Sequence, residues 1–119
     1  MTQKITVGQT AFPDWPLDSL GASIVEGNPH GSGQITFQTE DRLVTAGVWG
    51  CSPGVFDLSF GWDEMAYLLE GELTIQSGAG EPLHLKPGDF FFSPKGTASR
   101  WTVTKPVKKV FFLRTAEPL

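Results

Sequence analysis

The chain is poor in the residues that staple small folds together. A single cysteine, Cys51, rules out an intramolecular disulfide, and two histidines, His30 and His84, are too few for a three-histidine metal site. No apolar run approaches the roughly 18 residues of a membrane-spanning helix, and Met1-Thr2-Gln3-Lys4 lacks the apolar stretch of a signal peptide. The expectation is a cytoplasmic protein with no membrane partner. Charge is sparse, at 18% of residues, and 9 Lys and Arg against 13 Asp and Glu leave a formal −4. That balance argues against a nucleic-acid partner, which requires a clustered basic face to neutralise phosphates. The two signs are segregated, however. Seven of the nine cations (Lys86, Lys95, Arg100, Lys105, Lys108, Lys109 and Arg114) lie beyond residue 85, with only Asp89 and Glu117 of opposite sign there. Basic strands near the C-terminus pairing with acidic strands from the middle of the chain would account for this, as would an anion-attracting rim.

What the sequence has is punctuation. With 14 Gly, 9 Pro and 39% hydrophobic residues in 119, it describes one turn-rich globular domain over 1–119. Runs of β-branched and aromatic residues recur between Gly/Pro/Asn/Ser clusters. They predict ten strands: 22–26, 34–39, 43–49, 55–60, 65–69, 72–76, 82–85, 90–93, 99–103 and 107–114. Glu70-Gly71-Glu72 and Pro94-Lys95-Gly96 read as tight turns between neighbours. Turns every 8 to 12 residues are the rhythm of a sandwich or barrel. No helical period is sustained, although 13–20 can form one short turn. Phe12, Trp15 and Leu20 mark residues 1–21 as an N-terminal arm that packs on the barrel of 22–114 or crosses to a partner subunit.

Two segments carry a resemblance. Glu64, six residues and then Gly71 is similar to the first motif of the cupins, and Gly88-Asp89-Phe90-Phe91-Phe92-Ser93-Pro94-Lys95-Gly96-Thr97-Ala98-Ser99 is similar to the second, with Ser99 where that motif ends in His. Cys51-Ser52-Pro53-Gly54 before them and 101–110 after them resemble the small single-domain cupins related to (S)-ureidoglycine aminohydrolase and to the ethanolamine-utilisation cupin. The resemblance spans about residues 45 to 113. It implies an all-β fold, the cupin double-stranded β-helix or jelly-roll barrel.

Metal cupins carry a His-any-His pair three or four residues before the Glu. Those positions here hold Leu58 and Phe60, or Asp57 and Ser59, and the third His position holds Ser99. Of four expected ligands only Glu64 remains, so no metal site and no cofactor are expected, since tight transition-metal sites need three or four good donors. Asp57 with Glu64 would form at most a weak oxygen site for a hard cation. Cys51 reads as a small buried thiol, with no neighbouring His to activate it.

Strand alternation together with the resemblance places Glu64, Ser99 and Trp101 in the barrel cavity, and Trp62 shares the parity of Glu64. Aromatic walls would keep the Glu64 carboxyl protonated for proton transfer, whereas a neighbouring Lys or Arg would make it an ionic anchor. Lys95 and Arg100 are the nearest cations in sequence to the second motif, with Arg100 expected to point outward. Three readings follow. The first is a protein that binds a small amine- or ureido-type metabolite through Trp62, Glu64, Ser99 and Trp101. The second is a small enzyme of nitrogen or amino-compound metabolism with Glu64 as catalytic acid/base. The third is a structural or accessory protein in which these residues simply pack. A homodimer is expected, with Phe111-Phe112-Leu113 contributing to an isologous interface.

Overall fold

The computed structural model describes residues 2–9 and 12–119. Eight strands form the framework: β1 (Ser23–Gly27), β2 (Gly31–Gln38), β3 (Val44–Cys51), β4 (Gly54–Ser59), β5 (Asp63–Ser77), β6 (Leu83–Leu85), β7 (Phe90–Ser93) and β8 (Ala98–Arg114). Two 3-10 turns, Val7–Gln9 and Leu17–Leu20, precede them.

The fold is a jelly-roll barrel organised by two long antiparallel strands. The first half of β8 pairs with β4 on one side and the second half of β5 on the other; its second half pairs with β3 and the first half of β5. Each of β5 and β8 therefore bends across both sheets. One sheet runs β1, β4, β8, β5, β6 and the other β2, β3, β8, β5, β7.

The ten predicted strands become eight because two predicted breaks do not separate strands. Glu70-Gly71-Glu72 lies inside β5 as a set of bulges, with register shifts from Leu68 to Leu73. Pairing with β8 continues on both sides, so the chain bends without reversing. A bulge also flips which side chains face inward. Accordingly the buried set in β5 changes from Glu64, Ala66 and Leu68 to Leu73 and Ile75. Gly71 has φ +90°, and a Cβ there would collide with the carbonyl of Pro106 in β8, so the bend requires glycine. Likewise 99–103 and 107–114 are one strand. By contrast Pro94-Lys95-Gly96 is a turn, closed by Thr97 N–H donating to the Pro94 carbonyl at 3.2 Å.

Trp101 sits at the centre of the core. Phe56 stacks on it at 5.7 Å, and Trp49, Phe60 and Phe91 approach at 5.8 to 6.3 Å. Such ring pairs contribute about 0.5–1.5 kcal/mol each beyond area burial. The N-terminal arm packs on its own barrel. Trp15 N–H donates to the Gly31 carbonyl at 3.0 Å, Gly33 N–H donates to the Pro13 carbonyl at 2.9 Å, and Leu17 is buried. Gly33 makes room for this: a Cβ there would lie 2.7 Å from the Trp15 ring.

Candidate functional site

Along β8 every odd residue from Ser99 to Val103 and from Val107 to Leu113 is buried, which places Lys109 on the inner face. Its ammonium donates to Glu64 Oε2 at 2.5 Å, with Lys109 5% and Glu64 7% exposed. Register puts them on the same inner face of two paired strands but four positions apart, Glu64 opposite Leu113 and Lys109 opposite Leu68, and the long lysine side chain spans the gap. The other carboxylate oxygen, Oε1, accepts from Trp62 Nε1 at 2.9 Å. A buried ion pair is tolerated only when its remaining hydrogen-bonding capacity is also met. Here aromatic faces supply the rest. The Lys109 ammonium lies 4.8 Å from the ring centroids of both Trp49 and Trp101 and 5.9 Å from that of Phe91. Each desolvated cation–π contact contributes on the order of 2 kcal/mol. That helps offset the buried Trp49 Nε1, which has no hydrogen-bond partner among the described residues.

The pair borders a cavity of about 210 Å³. Trp49, Phe60, Trp62, Trp101 and Phe111 form its walls, and Trp15, Ser19 and Leu20 of the arm, with Leu119, line it from outside the barrel strands. Glu64 and Lys109 are the charged groups among the described lining residues. The arrangement is an aromatic, largely apolar chamber with one positive and one negative group side by side, able to donate and accept hydrogen bonds at one spot.

Glu64, Trp62 and Trp101 all line this chamber. Ser99 does not. Opposite Leu58 in the β4–β8 ladder, its hydroxyl donates to the Leu58 carbonyl at 3.0 Å and accepts from Trp101 Nε1 at 3.1 Å, so it holds the Trp101 ring instead of facing a ligand. Asp57 does not meet Glu64 either. It lies on the outer side of β4 and accepts from Arg100 Nε and Nη2 at 2.8 and 3.1 Å, which confirms the outward direction of Arg100 and holds the Asp57 carboxyl below its usual range. Lys95 meets a carboxylate only through its backbone N–H, on Asp63. His30 pairs with Asp14 and His84 with Thr74, both exposed. Cys51 is buried, and desolvation pushes its thiol up to about 11, against a smaller opposing pull from Lys109.

These donors do not match those that the cupin resemblance implies for a metal. The positions before Glu64 present Leu58 and Phe60, the Ser99 hydroxyl is already engaged, and the Lys109 ammonium occupies the space beside the one carboxylate. Among the described residues no three His, Cys, Asp or Glu converge. The donor set does not fit a cupin metal ion.

Sequence reasoning missed Lys109 as a site residue, although alternation with Trp101, Val103, Val107, Phe111 and Leu113 marks it as inward-facing. It also missed Trp49, whose role depends on the β3–β8 pairing.

A jelly-roll barrel of this size, with its polar centre at the first-motif Glu, is a small cupin. The EutQ-like cupin domain matches residues 38–111, and the chain belongs to that family. No curated protein matches it. Among solved structures it is similar to ethanolamine utilization protein Q of Salmonella typhimurium LT2, at 25% identity over 74% of this chain and 72% of that one, with a TM-score of 0.65. The EutQ protein of Clostridium difficile is similar at 21% identity, over 75% and 71%, with a TM-score of 0.66. A DUF861 family protein of Thermotoga maritima is 31% identical over 54% of this chain and 73% of its own, with a TM-score of 0.52.

Proposed function

We propose that this cupin binds a small, neutral, ureido- or amide-type metabolite in the barrel cavity without a metal ion. The Glu64–Lys109 pair within aromatic walls supports this reading most directly. A ligand that only donates or only accepts would satisfy one member of the pair. A primary amine would also bring a second cation to a carboxylate that already holds Lys109, at like-charge cost in a low-dielectric site. A ureido group carries a carbonyl for Lys109 and N–H groups for Glu64, and its flat, uncharged body suits the aromatic walls of the cavity. The volume of about 210 Å³ lies below the roughly 300 Å³ of drug-sized sites, which fits a compact metabolite.

The test is a thermal-shift and calorimetric screen of EDTA-treated protein against neutral ureido and amide compounds and, separately, primary amines. The reading expects the melting temperature to rise with the first set and to stay unchanged with the second. Equal response to amines, or a response only after metal is added, would sink it.

A second reading rests on the same pair. Glu64 and Lys109 at hydrogen-bond distance form an acid and a base side by side in an aromatic chamber, as proton transfer on a carbonyl or imine substrate requires. Consumption of a binding compound, abolished in Glu64→Gln, would favour it over binding alone. If no compound shifts the melting temperature, the structural role remains.

A further inference from the structure

The barrel cavity is graded in exposure. Its charged pair, Glu64 and Lys109, is buried together with Trp101, whereas Trp15 and Leu20 of the arm are half-buried and Leu119 is 45% exposed. Solvent therefore meets the cavity at the arm and Leu119, away from the pair. The rest of the wall is apolar, with Leu58, Phe60 and Leu113 buried in it. Phe111 and Leu113, expected at an interface between copies, point into this cavity instead. At the exposed end the polar groups of the arm are engaged within the arm. The Ser19 hydroxyl donates to the Pro16 carbonyl at 2.6 Å, and the N–H groups of Ser19, Gly21 and Ala22 donate to the carbonyls of Pro16, Asp18 and Leu17. Among the described lining residues no charged side chain stands apart from the Glu64–Lys109 pair. An unsubstituted ureido or amide head satisfies that pair but fills only a fraction of the about 210 Å³. Wall atoms left facing empty space lose their dispersion contacts.

We infer that the N-terminal arm is the specificity element of this site, and that the ligand carries one short, uncharged alkyl or aryl substituent seated against Leu20 and Leu119. That ligand keeps the neutral head of the proposed function at Glu64 and Lys109, on which the inference rests. A second ionic group on the substituent would lie against Leu20, Leu58 and Leu113 with no countercharge, and its desolvation would go uncompensated. A methylene in the same place removes apolar surface from water on both sides of the contact. The arm can act as a wall because it is anchored at both ends. Trp15 N–H donates to the Gly31 carbonyl at 3.0 Å before the Leu17–Leu20 turn, and Ser23 pairs with Asp57 after it. Leu17 is buried beneath the turn, which fixes where Leu20 meets the cavity.

Isothermal titration calorimetry of the EDTA-treated full chain tests this with N-methyl-, N-ethyl-, N-propyl- and N-butylurea, beside a second series in which the same alkyl chains end in a carboxylate or an ammonium group. Affinity is expected to rise about fourfold per methylene until the cavity is full, and to fall by about tenfold or more when the chain ends in a charge. In Leu20→Ala, whose smaller side chain enlarges the exposed end, the alkyl chain of highest affinity should be about one methylene longer, with N-methylurea bound as by the wild type. Leu119→Ala supplies the same comparison if Leu20→Ala does not melt cooperatively. A flat alkyl series, or charged chain ends that bind as tightly as alkyl ones, overturns the inference and leaves the proposed head contact standing. An optimum that stays at the wild-type length in the folded variant overturns the role of the arm. Absence of binding by every compound overturns the proposed function and this inference together.

Discussion

Lys109 and Glu64, 45 positions apart in the chain, form a buried ion pair at 2.5 Å in the middle of an aromatic box. In the fold resemblance this carboxylate belongs to a metal; here an ammonium from the neighbouring strand neutralises it.

Breaking the pair from one side should be costly. Lys109→Met leaves Glu64 buried beside Trp62 with no countercharge, and the expected loss is about 3–5 kcal/mol of unfolding free energy. The double variant Lys109→Met/Glu64→Gln removes both charges at nearly constant volume and should recover most of that loss. Urea denaturation of the wild type, the two single variants Lys109→Met and Glu64→Gln, and the double variant, taken as a thermodynamic cycle, measures the difference.

Gly71→Ala should destabilise by about 2 kcal/mol or more, since φ is +90° and the added methyl also meets Pro106. Gly78→Ala is the control. It also has positive φ, at +55°, but nothing lies within 4 Å of its Cβ, so its cost is conformational only. Thermal melts of both should rank Gly71→Ala clearly lower.

Cys51 should resist alkylation by iodoacetamide at pH 8 in the folded protein and react on unfolding in urea, because burial lifts its thiol from 9.0 to about 11. The linkage has a sign. The folded state holds this proton more tightly than the unfolded chain, so the associated stability is present below pH 9 and is lost as pH rises towards 11. Cys51→Ala should flatten that part of the stability profile.

Asp57 and Asp63 should titrate below the ordinary value of 3.8. For Asp57 the cause is the Arg100 side chain, and for Asp63 it is first the backbone N–H of Lys95 and then Arg114. Their stabilising effect is present above 3.8 and is lost as pH falls through the lowered values. In Arg100→Gln the Asp57 carboxyl resonance, followed by NMR, should move back up while that of Asp63 stays in place.

Much of the fold was legible because strands and turns are local. Gly88-Asp89 and Pro94-Lys95-Gly96 signal their turns in their own residues. Glu70-Gly71-Glu72 has the same signature, but its conformation is decided by β8 running alongside, a non-local pairing that composition does not reveal. The site divides in the same way. Glu64 was marked by its motif and Trp101 by alternation. Lys109 was counted with the basic tail, since a cation on an inner face runs against the usual burial preference until its partner is known. Ser99 fell on the expected strand face, yet the carbonyl of Leu58 claims its hydroxyl. The lining of the cavity by Trp15, Ser19 and Leu20 depends on how the arm docks against Gly31 and Gly33, which no local pattern encodes.

The most direct test of the account is isothermal titration calorimetry of EDTA-treated protein with the neutral ureido compound that gives the largest thermal shift, run beside the folded double variant Lys109→Met/Glu64→Gln. The account predicts metal-independent binding by the wild type and its loss in the double variant. Equal affinity in both proteins, or binding by the wild type only when metal is added back, would contradict it.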